Sequence, residues 1–339
     1  MKRFQIQSKY LTKTQSWQPI KYLIVIALAV FMAACGGAKK DETAAKDGKN
    51  DAAASTAKGN ENFTPAPVKD SKALYDTDEY LGLEKALKEP EKVFRLSLTG
   101  EGLKTLPESI TKLKNVQSLS LGGNPDLDLK QALGLLAQLP SLQELSLSDD
   151  SLRTLPEEIK NLSKLHSIWL DNNPKLDVAQ AFTVLGELPN LQDVSLIVND
   201  FPSLPEEVSK LKNLKKLALS YNKFKVLPKG LSQLQNLEFV DLSFNENLDV
   251  TKAIDELANL KNLKYLYMSK NNIEVIPNNI AKLTNLETLF LNNNPFKTLP
   301  YAIKKLTKLT TLSILSNQLE PPALEGLSEL FAQEVKILK

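Results

Sequence analysis

Cysteine and histidine are almost missing from this chain: its 339 residues include one of each, Cys35 and His166. A single cysteine excludes any intramolecular disulfide, so the fold stands on packing alone. A single histidine excludes histidine-rich metal sites and leaves one imidazole as a candidate base. Arginine is nearly as scarce, with only Arg3, Arg95 and Arg153. The planar forks that suit phosphates and base edges are therefore few, which argues against nucleic-acid binding. There is no G-x-S-x-G elbow, no phosphate-cradling glycine loop and no zinc-ligand spacing. No cofactor is expected. Aromatic residues make up only 6% of the chain, so any cluster of them stands out.

Acidic residues are absent from the first 34 positions, which carry Lys2, Arg3, Lys9, Lys13 and Lys21. The apolar run YLIVIALAVFMAA, Tyr22 to Ala34, follows directly. It is shorter than the roughly 20 apolar residues of a membrane-spanning helix, and its charged start and small-residue end describe a secretory signal. The run closes Met32-Ala33-Ala34-Cys35, which resembles the lipobox of bacterial lipoproteins. That resemblance implies cleavage before Cys35, lipidation (palmitate or a related acyl chain) of its sulfur, and attachment to the cell envelope. Gly36 stands where aspartate would retain an enterobacterial lipoprotein at the inner membrane, so the outer membrane is expected. Lys40-Asp41-Glu42 resembles the export signal of Bacteroidota surface lipoproteins and leaves both faces of that membrane open.

Five of the 42 basic residues and none of the 40 acidic ones lie in residues 1–34, so the rest of the chain carries 37 against 40, a net of −3. Residues 35–72 are small, polar and charged, with Phe63 as their one aromatic. Such a segment cannot bury enough apolar surface to offset its ordering entropy and reads as a disordered linker. As a flexible coil it would span roughly 30–35 Å.

From Val93 to about Leu319 the chain repeats itself about ten times, with starts at Val93, Val116, Leu142, Leu165, Leu191, Leu214, Leu237, Leu263, Leu286 and Leu309. Repeats opening at Val116, Leu165 and Leu237 are 26 residues long and the rest 23. Each opens L-x-x-L-x-L-x-x-N, and the shorter ones mostly continue L-P-x-x-I-x-x-L. These residues resemble the leucine-rich repeat family, in its 23-residue L-P-x-x-I class. The resemblance implies an α/β solenoid, a horseshoe with a parallel sheet on its concave side.

Alternation along a short strand turns positions four and six inward and positions three and five outward. Position nine is asparagine in eight repeats (Asn124, Asn173, Asn199, Asn222, Asn245, Asn271, Asn294 and Asn317), where an amide can donate and accept at once as the chain leaves the strand. Glu101 and Asp150 interrupt that column, so less regular packing is expected near the amino terminus. Asp128, Asp177 and Asp249 in the longer repeats read as helix N-caps, the first two with glutamine at capping-box spacing. Prolines in the shorter repeats predict tighter, irregular turns.

A terminal repeat leaves one face open, so caps are required. Residues 73–92 are expected to form an amino-terminal amphipathic helix, opened at Asp76 with Glu79 three residues on and stopped at Pro90. Residues 320–339 are expected to cap the other end, with Leu324, Leu327, Phe331 and Val335 on one helical face. The chain thus divides into a signal (1–34), a linker (35–72) and one repeat domain (73–339).

The outward positions point to function. Position five is serine near the amino terminus but Trp169, Asp241, Tyr267 and Phe290 further on, while position three adds Phe239 and Tyr265. Ile197, Val198, Tyr221 and Phe244 follow at positions seven and eight. Aromatic clusters are the usual anchors of interfaces. The expected ligand face is therefore Trp169, Tyr221, Phe239, Asp241, Phe244, Tyr265, Tyr267 and Phe290. It would serve a non-catalytic module binding a protein ligand, with a glycan ligand or a purely structural spacer as alternatives. Enzymatic activity is not expected, because an open sheet gives His166 neither an enclosed nucleophile nor an oxyanion site.

Overall fold

The computed structural model describes residues 65–325, 330–331 and 334–339. The signal 1–34, the lipidation site Cys35 and the linker as far as residue 64 lie outside the described residues.

Each repeat is too short to hold a core, and its inward leucines are buried only by stacking on the next repeat. The sheet records that stacking. Ten strands occupy positions three to five of the ten repeats: β2 (Arg95–Ser97), β3 (Ser118–Ser120), β4 (Glu144–Ser146), β5 (Ser167–Trp169), β6 (Asp193–Ser195), β7 (Lys216–Ala218), β8 (Phe239–Asp241), β9 (Tyr265–Tyr267), β10 (Thr288–Phe290) and β11 (Thr311–Ser313). All pair in parallel and in sequence order, within a sheet of 12 strands. Position four stands opposite position four throughout, as in Leu217 with Val240 and Val240 with Leu266. Those residues, with Leu219, Leu242 and Met268 at position six, lie in one core that runs the length of the repeats.

The return limb follows repeat length. The three 26-residue repeats carry helices Leu129–Leu136, Val178–Leu185 and Val250–Leu257. Asp128, Asp177 and Asp249 cap them, accepting from the amides of Gln131, Gln180 and Lys252 at 3.0–3.1 Å. The capping boxes stay open, because the glutamines reach the other way. Gln131 brackets both backbone groups of Leu106, and Gln180 those of Leu155, at 2.8–3.0 Å, tying each helix to the preceding repeat. In six 23-residue repeats the proline fixes an extended residue and a single 3-10 turn follows, as at Pro228 before Lys229–Gln233.

Both ends are closed by short helices and by one added strand each, which the sequence reading did not foresee. The amino-terminal cap is not one helix from Asp76. It comprises helix Ser71–Tyr75, strand β1 (Glu79–Leu81) and helix Leu83–Ala86, and β1 pairs with β2. The open edge of β2 offers unpaired backbone groups, and satisfying them outweighs the helical pattern. Asp76 ends the first helix rather than starting one. At the carboxyl end helix Pro321–Glu325 gives way to strand β12 (Lys336–Leu338), paired with β11. Phe331 is buried in the core and Val335 packs against it outside any helix, while the side chains of Leu324 and Leu327 lie outside the described residues.

Ordered structure also begins before residue 73. Within the stretch read as linker, the Ala66 amide donates to Asn115 Oδ1 at 2.7 Å, and Lys69 exchanges two bonds with the Gln117 amide at 2.9 and 3.1 Å. The backbone is held because two side chains of the rim where the strands begin supply its partners. Leu74 is buried there, and the Tyr75 hydroxyl donates to Glu144 Oε2 at 3.0 Å.

The asparagine column satisfies the strand exits of the inner repeats, while Asn317 Nδ2, in the last repeat, has no hydrogen-bond partner among the described residues. Asn222 Nδ2 donates to the carbonyls of Leu196, Leu219 and Ser220, and its Oδ1 accepts from the Phe201 amide at 3.0 Å. Asp150 stands in this column without the donor. It accepts from the Asn124 amide at 2.6 Å, but a carboxyl has no NH2 group with which to donate as the asparagines do. Burial pushes its carboxyl up to about 7, helped by Asp149 and opposed by the Asn124 and Gly123 amides. In the unfolded chain the same group releases its proton near pH 4. Its contribution therefore favours the folded state below about pH 4 and is lost as pH rises towards 7. Asp150→Asn is expected to raise stability by on the order of 2 kcal/mol at pH 8 and by much less at pH 4.5, read as thermal melts at the two pH values.

Candidate binding face

The outward side chains of β8–β10 form one aromatic group. Tyr267 stacks on Phe290 with centroids 4.4 Å apart and planes at 6°, and it meets Phe239 edge-to-face at 5.0 Å. One column away, Tyr221 stacks on Phe244 at 3.8 Å and 14°. Lys270, at the same position one repeat on, holds its ammonium 5.1 Å from the Phe244 ring. Tyr265 lies beside Glu287, its hydroxyl 3.5 Å from Oε2. Seven of the eight expected residues are partly exposed. The exception corrects the expectation: Phe239 is 2% exposed. On the concave side neighbouring strands crowd their side chains, and Phe239 is roofed by Tyr267 instead of facing solvent. Trp169 on β5 stands apart, since Ser195 and Ala218, the position-five residues of β6 and β7, are themselves buried.

Beneath the rings lies Asp241. Its carboxylate accepts from the Ser243 amide at 2.9 Å and from the hydroxyls of Ser243 and Ser220. Burial pushes it above the usual carboxylate range against those hydrogen bonds. Burial and the nearby Asp241 charge raise the phenols of Tyr221 and Tyr267, the latter to about 12.

The backbone explains why Tyr221 and Phe244 project from the strand ends. Position eight has positive φ in every repeat, between 52° and 74°. Five repeats use residues that tolerate this region: Gly100, Gly123, Asp149, Asn172 and Asn293. Three consecutive repeats place Val198, Tyr221 and Phe244 there, at φ 56–59°. Each bulky side chain in that region costs about 1–2 kcal/mol. The sequence signal was present in the glycine and asparagine at equivalent positions, which mark the column as left-handed.

His166 and Asp171 have separate partners. The His166 Nδ1 lies 2.7 Å from the Lys164 carbonyl and so carries the proton, while Asp171 accepts from the Ser195 hydroxyl and the Ile197 amide at 2.5 and 2.8 Å. Among the described residues no group of three metal-ligating side chains occurs, and no helix is long and apolar enough to cross a membrane.

Comparison with known proteins agrees with this architecture. A leucine-rich repeat profile matches residues 189–246, and a leucine-rich repeat region profile matches residues 240–336. Among solved structures, an internalin from Listeria monocytogenes is 23% identical, covering 79% of this chain and 75% of its own at a TM-score of 0.53. A TLR13–ssRNA13 complex is 27% identical over 73% of this chain at 0.54, and the Drosophila Toll–Spatzle complex 22% identical over 69% at 0.53. This chain spans only 39% and 34% of those two receptors. No curated protein matches it. The fold is a leucine-rich repeat solenoid, and the profile matches support membership of the leucine-rich repeat family.

The strained column makes a direct test. Val198 is the only β-branched residue in it, and replacing Val198 by Asn should stabilise the domain by about 1 kcal/mol, seen as a rise of a few degrees in melting temperature.

Proposed function

We propose that the domain binds a protein ligand through the carboxy-terminal half of its concave face, while tethered to a bacterial envelope by lipid on Cys35. The observation that carries the binding reading is the two stacked pairs Tyr221–Phe244 and Tyr267–Phe290, with Tyr265 on the neighbouring strand position, all partly exposed on an otherwise hydroxyl-rich face. Three of these aromatics sit on strands of a rigid ladder, and two more accept backbone strain to reach the same surface. Large amphipathic rings held in place lose little entropy when a partner docks. The Toll structure was solved with the protein Spatzle and the TLR13 structure with single-stranded RNA. For this chain the protein reading is favoured, because two arginines remain after residue 34 and carboxylates sit on the concave positions. A glycan would stack on open ring faces, and here rings of each stacked pair cover one another.

A photo-crosslinking residue at Tyr265 should yield one discrete protein adduct in cells, whereas one at Val275, on the far side of the repeat, should not. Combined Tyr267→Ala and Phe290→Ala substitutions should reduce that adduct at least tenfold. Equal yields from the two sites would exclude this face as the ligand surface.

The tether follows from the lipobox, and outer-membrane placement from Gly36, which is not the aspartate of inner-membrane retention. Cys35→Ala is expected to move the protein from the membrane pellet to the soluble fraction and to abolish labelling by radioactive palmitate. Retention of both would exclude lipidation at this residue.

A further inference from the structure

The charge of the concave face narrows the partner's chemistry. Four outward positions hold carboxylates in or near the strands: Glu144, Asp171, Asp193 and Asp241. Only Asp193 meets a cation, with Lys216 Nζ 3.3 Å away. Glu144 accepts from the Tyr75 hydroxyl, Asp171 from the Ser195 hydroxyl and an amide, and Asp241 from two serine hydroxyls and an amide. Among the described residues none of these three forms an ion pair. Hydroxyls and amides orient and partly stabilise a carboxylate but do not neutralise it. The Arg95 charge acts on Glu144, which leaves Asp171 and Asp241 as carboxyls on this concave strip with no cation paired to them.

Access differs among the three. Asp171 is 1% exposed, and Glu144 is covered by the arm that bears Tyr75, so both act through their field. Asp241 is partly exposed; Tyr267 stands opposite it on β9, and Tyr221, stacked on Phe244, lies within reach of its charge. Lys270, the cation already in this group, lies over the Phe244 ring and forms no ion pair with Asp241. A lone carboxylate is a poor metal site, and among the described residues no group of three ligating side chains forms. A long basic side chain suits both parts, because its methylene stem packs on apolar rings while its charged head reaches the carboxylate.

We propose that the protein partner presents a basic segment, one lysine or arginine of which is received at Asp241 between the Tyr221–Phe244 stack and Tyr267. This rests on the reading of the concave aromatic face as the ligand surface, and it adds the sign of charge at the centre of that surface.

Three synthetic pentapeptides, acetyl-Gly-Leu-X-Leu-Gly-amide with X as lysine, norleucine or glutamate, separate the two ideas when titrated into the full chain and followed by tyrosine-ring NMR shifts. The lysine peptide should shift Tyr221 and Tyr267 and bind about tenfold more tightly than the norleucine peptide, with glutamate weakest. Asp241→Asn keeps the side chain's shape and should bring the lysine-to-norleucine ratio to about one. In the unaltered protein, raising salt from about 0.05 to about 0.5 M should weaken the lysine peptide and leave the norleucine peptide unchanged. Equal binding of lysine and norleucine, a preference that survives Asp241→Asn, or no binding of the lysine peptide would each overturn the proposal. Loss of the Tyr265 crosslink contrast would instead remove the underlying reading, so the two failures are distinguishable.

Discussion

Everything on the concave face depends on one hydrogen-bonded group, the asparagine at position nine. A three-residue strand cannot end in the interior unless its last carbonyls find donors, and the Asn222 or Asn245 NH2 group lies within hydrogen-bond reach of three of them while its oxygen accepts from the preceding repeat. For that side chain to turn inward, the residue before it takes the left-handed conformation, and position eight does so in all ten repeats. The same geometry that satisfies the core therefore fixes where position eight projects. At Tyr221 and Phe244 it stacks two rings 3.8 Å apart across adjacent repeats. The placement of these two rings is thus a consequence of how the strand exits are closed.

Much of this was legible in the sequence, and the rest was hidden for identifiable reasons. The repeat period placed all ten repeat strands, because inward leucines leave a period that no alternative fold shares. Repeat length separated true helices from 3-10 turns, because a three-residue insertion after an N-capping aspartate is enough for two helical turns. Asp76 and Glu79 have the spacing of a helix start, while the pairing of Glu79–Leu81 with Arg95–Ser97 that prevails is a tertiary contact that leaves no local mark. The docking of residues 66–69 on Asn115 and Gln117 was hidden likewise, since two backbone segments meeting two amides carry no compositional signature. Phe239 alternates as an outward residue should, and only the packing of Tyr267 over it shows that outward need not mean exposed.

The two halves of the face differ for a physical reason. In the amino-terminal half, the chain's own arm rests on the rim: Lys69 lies 4.5 Å from the Phe94 ring, Arg95 lies 4.6 Å from the Tyr75 ring, and Tyr75 reaches Glu144. Small hydroxyl-bearing residues at position five there (Ser97, Ser120 and Ser146) leave room and bond among themselves, as in the chain Ser97–Thr99–Ser120. In the carboxy-terminal half no such arm is described, and the rings fill the equivalent space by stacking on one another.

That asymmetry separates the arm from the candidate ligand face. The described arm meets the rim at Asn115, Gln117 and Glu144, at the start of β3 and β4, whereas Tyr265, Tyr267 and Phe290 stand on β9 and β10. A ligand docking on β8–β10 would then meet a surface separated from those arm contacts by several strands at about 4.8 Å each. It would also need no rearrangement of the arm, because Asp241 and the rings near it are already assembled on the same rigid ladder that buries the core.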